Sequence, residues 1–297
     1  MKLQQLTTEQ RNRATEKLDS MTALEMVEVM NREDAIVPRA IKKVLPRIAE
    51  AVDVIAAALE QGGRLIYVGT GTSGRIGALD ATEAQPTFGI SPEMVQFVIA
   101  GGEAALVRAV EASEDSVELG RKDIAKRKPG KRDVVVGIAA SGRTPYTISA
   151  LEYAKSKGAK TVAIASNLDS EIGKVADLSI EVDVGPEVLT GSSRLKSGTA
   201  QKLICNMLTT CAMARVGYVY SNLMVNLILK NEKLLERGIG IVETLAKVDR
   251  ATAIATLEKA GMSLPLALVM LQAGVSKTEA QKRLRKTKGN VRKAIEG

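Results

Sequence analysis

Apolar positions follow two rhythms along this chain. Between residues 8 and 61 they recur at the spacing of helix faces, with Thr22-Ala-Leu-Glu25 forming a capping box and a long amphipathic stretch over residues 40–61. Gly62-Gly63 ends that run. Beyond it, short apolar segments of β character, at residues 65–68, 95–100, 133–138, 161–165 and 178–182, alternate with helical ones. Such alternation predicts an α/β fold built on a five-stranded parallel, doubly wound sheet with helices on both faces.

After the fifth strand the helical rhythm returns. A long apolar helix is predicted over residues 197–216, with further helical sequence to about residue 247. Three short amphipathic helices follow, at 248–260, 264–273 and 276–295, broken at Gly261-Met-Ser and Gly274-Val-Ser, with Ser263 and Ser276 as N-caps. This C-terminal stretch, closing on Gly289-Asn-Val-Arg-Lys-Ala-Ile295, resembles a ubiquitin-associated (UBA-like) three-helix module. The chain therefore divides into an N-terminal helical segment (1–61), a sheet domain with flanking helices (62–247) and a C-terminal helical subdomain (248–297).

Composition narrows the chemistry. The 297 residues are 45% hydrophobic but only 2% aromatic, so aliphatic side chains fill the core. Cys205 and Cys211 both fall in the apolar 197–216 stretch and read as buried free thiols. The N-terminus lacks the apolar core of a signal peptide and no apolar run approaches a membrane span, so a cytoplasmic protein with no membrane partner is expected. Of the formal charge of +8, the tail from Lys277 to Gly297 carries +6. Without an aromatic platform beside it, that tail reads as a solvated helical face and not as a nucleic-acid site. Histidine is absent, which excludes imidazole metal sites and leaves carboxylates, Lys, Tyr or Cys for acid/base work.

Three Gly/Ser/Thr-rich loops follow short apolar runs: Gly69-Thr-Gly-Thr-Ser-Gly-Arg75, Ala140-Ser-Gly-Arg-Thr144 and Thr190-Gly-Ser-Ser-Arg-Leu-Lys-Ser-Gly198. In parallel sheets, ligands bind beyond the carboxyl ends of the strands, where loops feed helix N-termini. Hydroxyls and backbone N–H groups clustered there suit an anionic, hydroxyl-rich ligand such as a sugar phosphate. Pro145 stands at the first helical position after the second loop, leaving Ser141, Gly142 and Thr144 toward the ligand. The first loop also fits the dinucleotide fingerprint G-x-G-x-x-G. Against a nicotinamide site, the second strand ends in Ala100-Gly-Gly102 before reaching an acid, and Thr70, Thr72 and Ser73 add donors that a pyrophosphate turn does not require. Taken singly, each loop also reads as an ordinary strand-to-helix turn or helix cap.

Hydroxyl-rich loops on a five-stranded parallel sheet resemble the sugar isomerase (SIS) domain, which binds phosphosugars. The segment Gly185-Pro-Glu-Val-Leu-Thr-Gly-Ser-Ser-Arg-Leu-Lys-Ser-Gly-Thr-Ala-Gln-Lys202 is more specific, and is similar to a signature shared by bacterial N-acetylmuramic acid 6-phosphate etherases and the glucokinase regulatory protein. The likeness runs from Leu6-Thr-Thr-Glu9 and Asn12 to the C-terminal helices, and a chain of this length, with one such domain, resembles the etherases.

The resemblance implies a homodimer that needs no cofactor, with its site at or near the subunit interface, breaking a lactyl ether on a sugar phosphate. It implies a catalytic acid in Leu79-Asp-Ala-Thr-Glu-Ala-Gln-Pro-Thr-Phe88, at Glu83, and a second carboxylate in Ala109-Val-Glu-Ala-Ser-Glu-Asp-Ser-Val-Glu118, at Glu114. Glu83 is expected near a helix C-terminus, since Pro86 should stop its helix, and such an end disfavours an anion. Glu111 and Glu118 flank Glu114 at helical spacing, a like-charge arrangement that a solvated acidic face would share. Thr70, Thr72, Ser73, Ser141, Gly142, Thr144, Ser192 and Ser193 are the expected ligand contacts; Arg194 or Lys196 either holds an anionic group or makes a structural ion pair. A phosphosugar sensor without catalysis and a sugar-phosphate isomerase remain the alternatives, because the same loops serve all three.

Overall fold

The computed structural model describes residues 6–108, 110 and 113–297. It comprises two compact units, Met1–Thr82 with Pro92–Thr209, and Glu83–Ser91 with Thr210–Gly297. In the first, three 3-10 turns (Thr7–Glu9, Arg13–Thr15 and Leu18–Ser20) lead into α1 (Ala23–Asp34) and α2 (Ile36–Glu60). Thr22 and Glu25 do form the capping box at the start of α1. The sheet consists of β1 (Leu65–Gly69), β2 (Val95–Ile99), β3 (Val134–Ile138), β4 (Lys160–Ala165) and β5 (Leu178–Glu181), all parallel in the order β2-β1-β3-β4-β5. Between the strands lie α3 (Gly71–Phe88), α4 (Ala104–Val107), α5 (Val117–Lys126), α6 (Pro145–Ser156) and α7 (Glu171–Val175), and α8 (Lys196–Val216) follows the last.

The strands are apolar on both faces because both are covered. Ile66, Val68, Val135, Ala163 and Ala165 pack with Ile124 of α5 and Tyr146, Ala150 and Leu151 of α6. On the other face α2 lies along β1, β3 and β5, and the Tyr67 hydroxyl donates to Asp80 of α3 at 2.9 Å. Asp80 also accepts from Asn206 (2.7 Å) and Thr209 (3.1 Å) of α8, so one buried carboxylate ties β1, α3 and α8 together. Burial pushes the Asp80 carboxyl above its usual range, against the opposing pull of these donors.

At the opposite ends of the strands, Asp133 accepts from the backbone N–H and the guanidinium of Arg64 (3.0 and 2.7 Å) and from Gly130 N–H (2.9 Å). Burial alone would raise its pKa, but the Arg64 and Gly130 hydrogen bonds outweigh it and hold the carboxyl below the ordinary value. A depressed carboxyl contributes stability that is complete above the unfolded pKa of about 3.9 and is lost as pH falls through the folded value. The urea midpoint of the wild type is therefore expected to exceed that of Asp133→Asn at pH 7 and to converge with it as pH falls through the depressed folded value. A gap that persists unchanged there would show that packing, not charge, makes the difference.

The C-terminal half departs from the sequence expectation in four places. Residues 217–231, expected as helix, contain neither helix nor strand. Gly217 has φ +103°, and a Cβ there would lie 2.4 Å from Asn290, so the helix ends at Val216. Then α9 (Glu232–Ala246), α10 (Arg250–Lys259), α11 (Leu264–Gln272), α12 (Lys277–Lys286) and α13 (Val291–Glu296) follow, so the 276–295 segment is two helices, not one. Lys288 (φ +53°) and Gly289 (φ +87°) break it, and Asn290 caps α13 by accepting from Lys293 N–H. Ser276 caps α12 as expected, whereas Ser263 makes no side-chain cap to α11, whose first turn contains Pro265 and so lacks one N–H. Cys205 is a buried free thiol, but Cys211 is exposed on the outer face of α8 and not buried as the apolar stretch implied. Among the described residues no single helix is long and apolar enough to cross a membrane.

Candidate functional site

The carboxyl ends of β1 and β3 open onto a cleft of about 680 Å³ in the first unit. Gly71, at φ +49°, turns the chain from β1 into α3, and a Cβ on Gly74 would stand 2.6 Å from Ile99, so only glycine lets α3 start this close to the sheet. Pro145 is the first residue of α6, with Thr144 at the N-cap position. Both helices thus aim their N-termini at the cleft, and their free backbone N–H groups favour an anion there.

Of the expected contacts, Thr70, Thr72, Ser73, Ser141, Thr144 and Ser193 line this cleft, and so does Glu114. Ser73 is buried and donates to Gln201 Oε1 at 3.0 Å, leaving its oxygen lone pairs for a ligand. Thr70 Oγ1 stands 3.5 Å from Glu114 Oε2, which brings the carboxylate beside the first loop. Ser141 Oγ accepts from Arg143 N–H at 3.3 Å. Glu111, expected to crowd Glu114, lies outside the described residues; Glu118 is at the start of α5, beyond the Ser116 cap.

The remaining expected residues are elsewhere. Gly142 is buried behind the loop, where a Cβ would meet Ser170 at 2.4 Å. Ser192 and the exposed Arg194 are not among the lining residues. Lys196 is fully buried, its ammonium 2.7 Å from Glu33, so its charge serves a structural ion pair. The N-terminus of α8 is likewise occupied from within: buried Glu187 accepts from the N–H groups of Lys196 and Ser197, both at 2.9 Å. The third loop therefore supplies Ser193 but no open helix end.

Glu83 is exposed on α3, twelve residues beyond Gly71, or about 18 Å along the helix axis. The helix does not stop before Pro86, as expected, but passes through it to Phe88. Proline's fixed φ suits a helix, and the bond it forfeits would have gone to the carbonyl of Thr82, an exposed residue that water can serve. Asp80, in its buried cluster, lies one turn before Glu83.

Sequence reasoning missed Thr8, Glu9, Asp115 and Arg143, which also line the cleft. Arg143, whose Nε is 3.4 Å from Glu171, is the one cation lining the cleft among the described residues. It stands inside the second loop, between the hydroxyls of Ser141 and Thr144. Thr8 and Glu9 precede the first strand by the whole of α1 and α2, and no periodicity or loop motif marks them.

Residues 47–155 match the N-terminal SIS domain of the glucokinase regulatory protein, 128–211 match the SIS domain, and 266–297 match the HYPK UBA domain. The chain is similar to N-acetylmuramic acid 6-phosphate etherase 2 of Lactiplantibacillus plantarum, at 52% identity over 99% of this chain and 100% of that one. It is similar to N-acetylmuramic acid 6-phosphate etherases of Actinobacillus pleuropneumoniae (51%, 99% of this chain, 96% of that one) and Oenococcus oeni (52%, 99% of each). Among solved structures, a phosphoheptose isomerase from Francisella tularensis shares the fold at TM-score 0.51, with 20% identity over 65% of this chain and 98% of the other.

Proposed function

This chain belongs to the N-acetylmuramic acid 6-phosphate etherase family, and from that premise we propose that it cleaves the D-lactyl ether of N-acetylmuramic acid 6-phosphate, a carbon–oxygen lyase reaction yielding N-acetylglucosamine 6-phosphate and D-lactate. Family membership over the whole chain is the observation that carries this reading. The cleft agrees with it: two helix N-termini and several hydroxyls suit a phosphosugar, and carboxylates stand beside them.

An unactivated ether resists direct hydrolysis. Opening the sugar ring to its aldehyde makes the C2 proton acidic. Loss of that proton and departure of lactate from C3 give an unsaturated aldehyde, to which water adds at C3 before the ring closes. Two carboxyl groups suffice for these proton transfers. In this scheme Glu83 protonates the departing lactate oxygen. Glu114, beside Thr70, is the base that activates the added water and takes the C2 proton. Thr70, Thr72, Ser73, Ser141, Thr144 and Ser193 bind phosphate and sugar hydroxyls, with Arg143 as the nearby cation.

We further assign the working form to a homodimer with each site near the subunit interface, in the cytoplasm. The length of α3 supports this: about 18 Å of helix axis between the first loop and Glu83 exceeds the size of a hexose phosphate. A second chain would then bring its own Glu83 to the cleft. Lactate released from N-acetylmuramic acid 6-phosphate by the purified protein tests the reaction. Binding of the sugar phosphate without lactate would replace the etherase by a sensor or an isomerase.

A further inference from the structure

One wall of the cleft belongs to none of the three loops. Thr8 and Glu9 reach it on the first 3-10 turn, far upstream of the sheet. That segment is fixed by polar bonds to distant parts of the same unit. Asn167 donates to Thr8 Oγ1 (3.2 Å) and to the carbonyl of Ala140 in the second loop (3.1 Å). Asn12 donates to the Pro186 carbonyl (3.0 Å) and to Glu33 (2.7 Å), and the Thr15 hydroxyl donates to the Val188 carbonyl (2.8 Å). Thr8, Asn12, Thr15 and Asn167 are all buried, so the segment is wired to the second loop and to the approach of the third.

None of these tethers uses the Glu9 carboxylate. Its hydrogen-bond partner among the described residues is the adjacent Thr8 hydroxyl, at 3.4 Å. Oε2 lies over the third loop, 3.5 Å from where a Cβ on Gly191 would stand. A carboxylate offers about four acceptor positions, and this one is half-buried on the cleft wall with a single long bond. Withdrawing a charged acceptor from water without partners is unfavourable, and a ligand that brings N–H or O–H donors relieves it.

We propose that Glu9 is a substrate-binding residue that sets specificity, accepting a hydrogen bond from the amide N–H or a ring hydroxyl of the bound amino-sugar phosphate. The identity of that sugar rests on the etherase reading; the role of Glu9 as an acceptor does not. A carboxylate here also repels a ligand that places an anionic group at the same position, so it orients the phosphate toward the helix N-termini.

The test is calorimetric binding of N-acetylglucosamine 6-phosphate, together with lactate-release kinetics, for wild type, Glu9→Gln and Glu9→Ala, each confirmed folded by its melting temperature. Loss of a hydrogen bond to a charged acceptor is expected to raise Kd and KM by about tenfold or more in Glu9→Ala, and less in Glu9→Gln, with kcat within about threefold of wild type. Glucose 6-phosphate, which lacks the amide, identifies the donor: equal weakening of both sugars points to a ring hydroxyl, and loss confined to the acetamido sugar points to the N–H. Kd and KM unchanged within about twofold in both folded variants would overturn the proposal, as would a loss confined to kcat. If wild type binds the sugar phosphate but releases no lactate, the etherase reading fails while the Kd comparison still decides the role of Glu9.

Discussion

Glu83→Gln and Glu114→Gln, each expected to be inactive alone, are expected to regain lactate release when their subunits combine in the proposed homodimer. In the proposed scheme each substitution removes a proton-transfer group and should lower kcat by about 10²–10⁴-fold alone. The rescue follows from the shape of α3, which begins at the cleft with Gly71 and carries Glu83 in its last turns. If a site takes Glu114 from one subunit and Glu83 from the other, a mixed dimer concentrates both defects in one site and leaves the other intact. Random pairing of equal amounts makes half the dimers mixed, each with one working site, so about a quarter of wild-type activity should return. Co-expression with two different affinity tags, followed by sequential purification, isolates the mixed dimer directly. Activity no higher than either parent would show that each chain's Glu83 serves its own cleft.

The second large effect concerns stability. Lys196→Met leaves Glu33 with its charge in a largely buried position and its chief partner gone. Burial by itself raises the Glu33 carboxyl, but the hydrogen bonds from Lys196 and Asn12 overcome it and hold the group below its usual value. Removing one member of such a pair is expected to cost about 3–5 kcal/mol, measured as a fall in the urea midpoint at pH 7. Adding Glu33→Gln to Lys196→Met removes the stranded charge while keeping an acceptor for Asn12, and should recover more than half of the loss. If the double variant is no better than the single, the cost comes from packing around the lysine stem and not from the isolated carboxylate.

These outcomes trace back to residues whose roles were legible in the sequence to different degrees. The sheet was readable because its strands are short apolar runs set between Gly-rich turns, a local pattern that tertiary contacts only reinforce. The capping box at Thr22 was equally local. Lys196 was not decidable, because a lysine in a Gly/Ser loop pairs equally well with a phosphate or with a carboxylate 163 positions away in sequence, and only the fold selects Glu33. Gly217 and Gly289 each ended a helix that apolar spacing extended, since periodicity reports which face is buried and not where the backbone turns left-handed. Pro86 misled in the opposite sense: its cost fell on an exposed carbonyl, so the helix continued. Glu9 stands in the Leu6-Thr-Thr-Glu9 stretch of the family likeness, but its place on the cleft wall was not legible there. A wall residue supplied by a remote tether has no signature within its own few neighbours.

The reassignment of Cys211 to the protein exterior gives α8 an internal contrast. Cys205 and Cys211 stand less than two turns apart on one helix, yet the first is sealed, its thiol pushed well above the usual range by burial, while the second faces solvent. The protein thus carries its own pair of chemical depth gauges: one sulfur open to an electrophile or an oxidant in the native state, the other reachable only when its buried surroundings open.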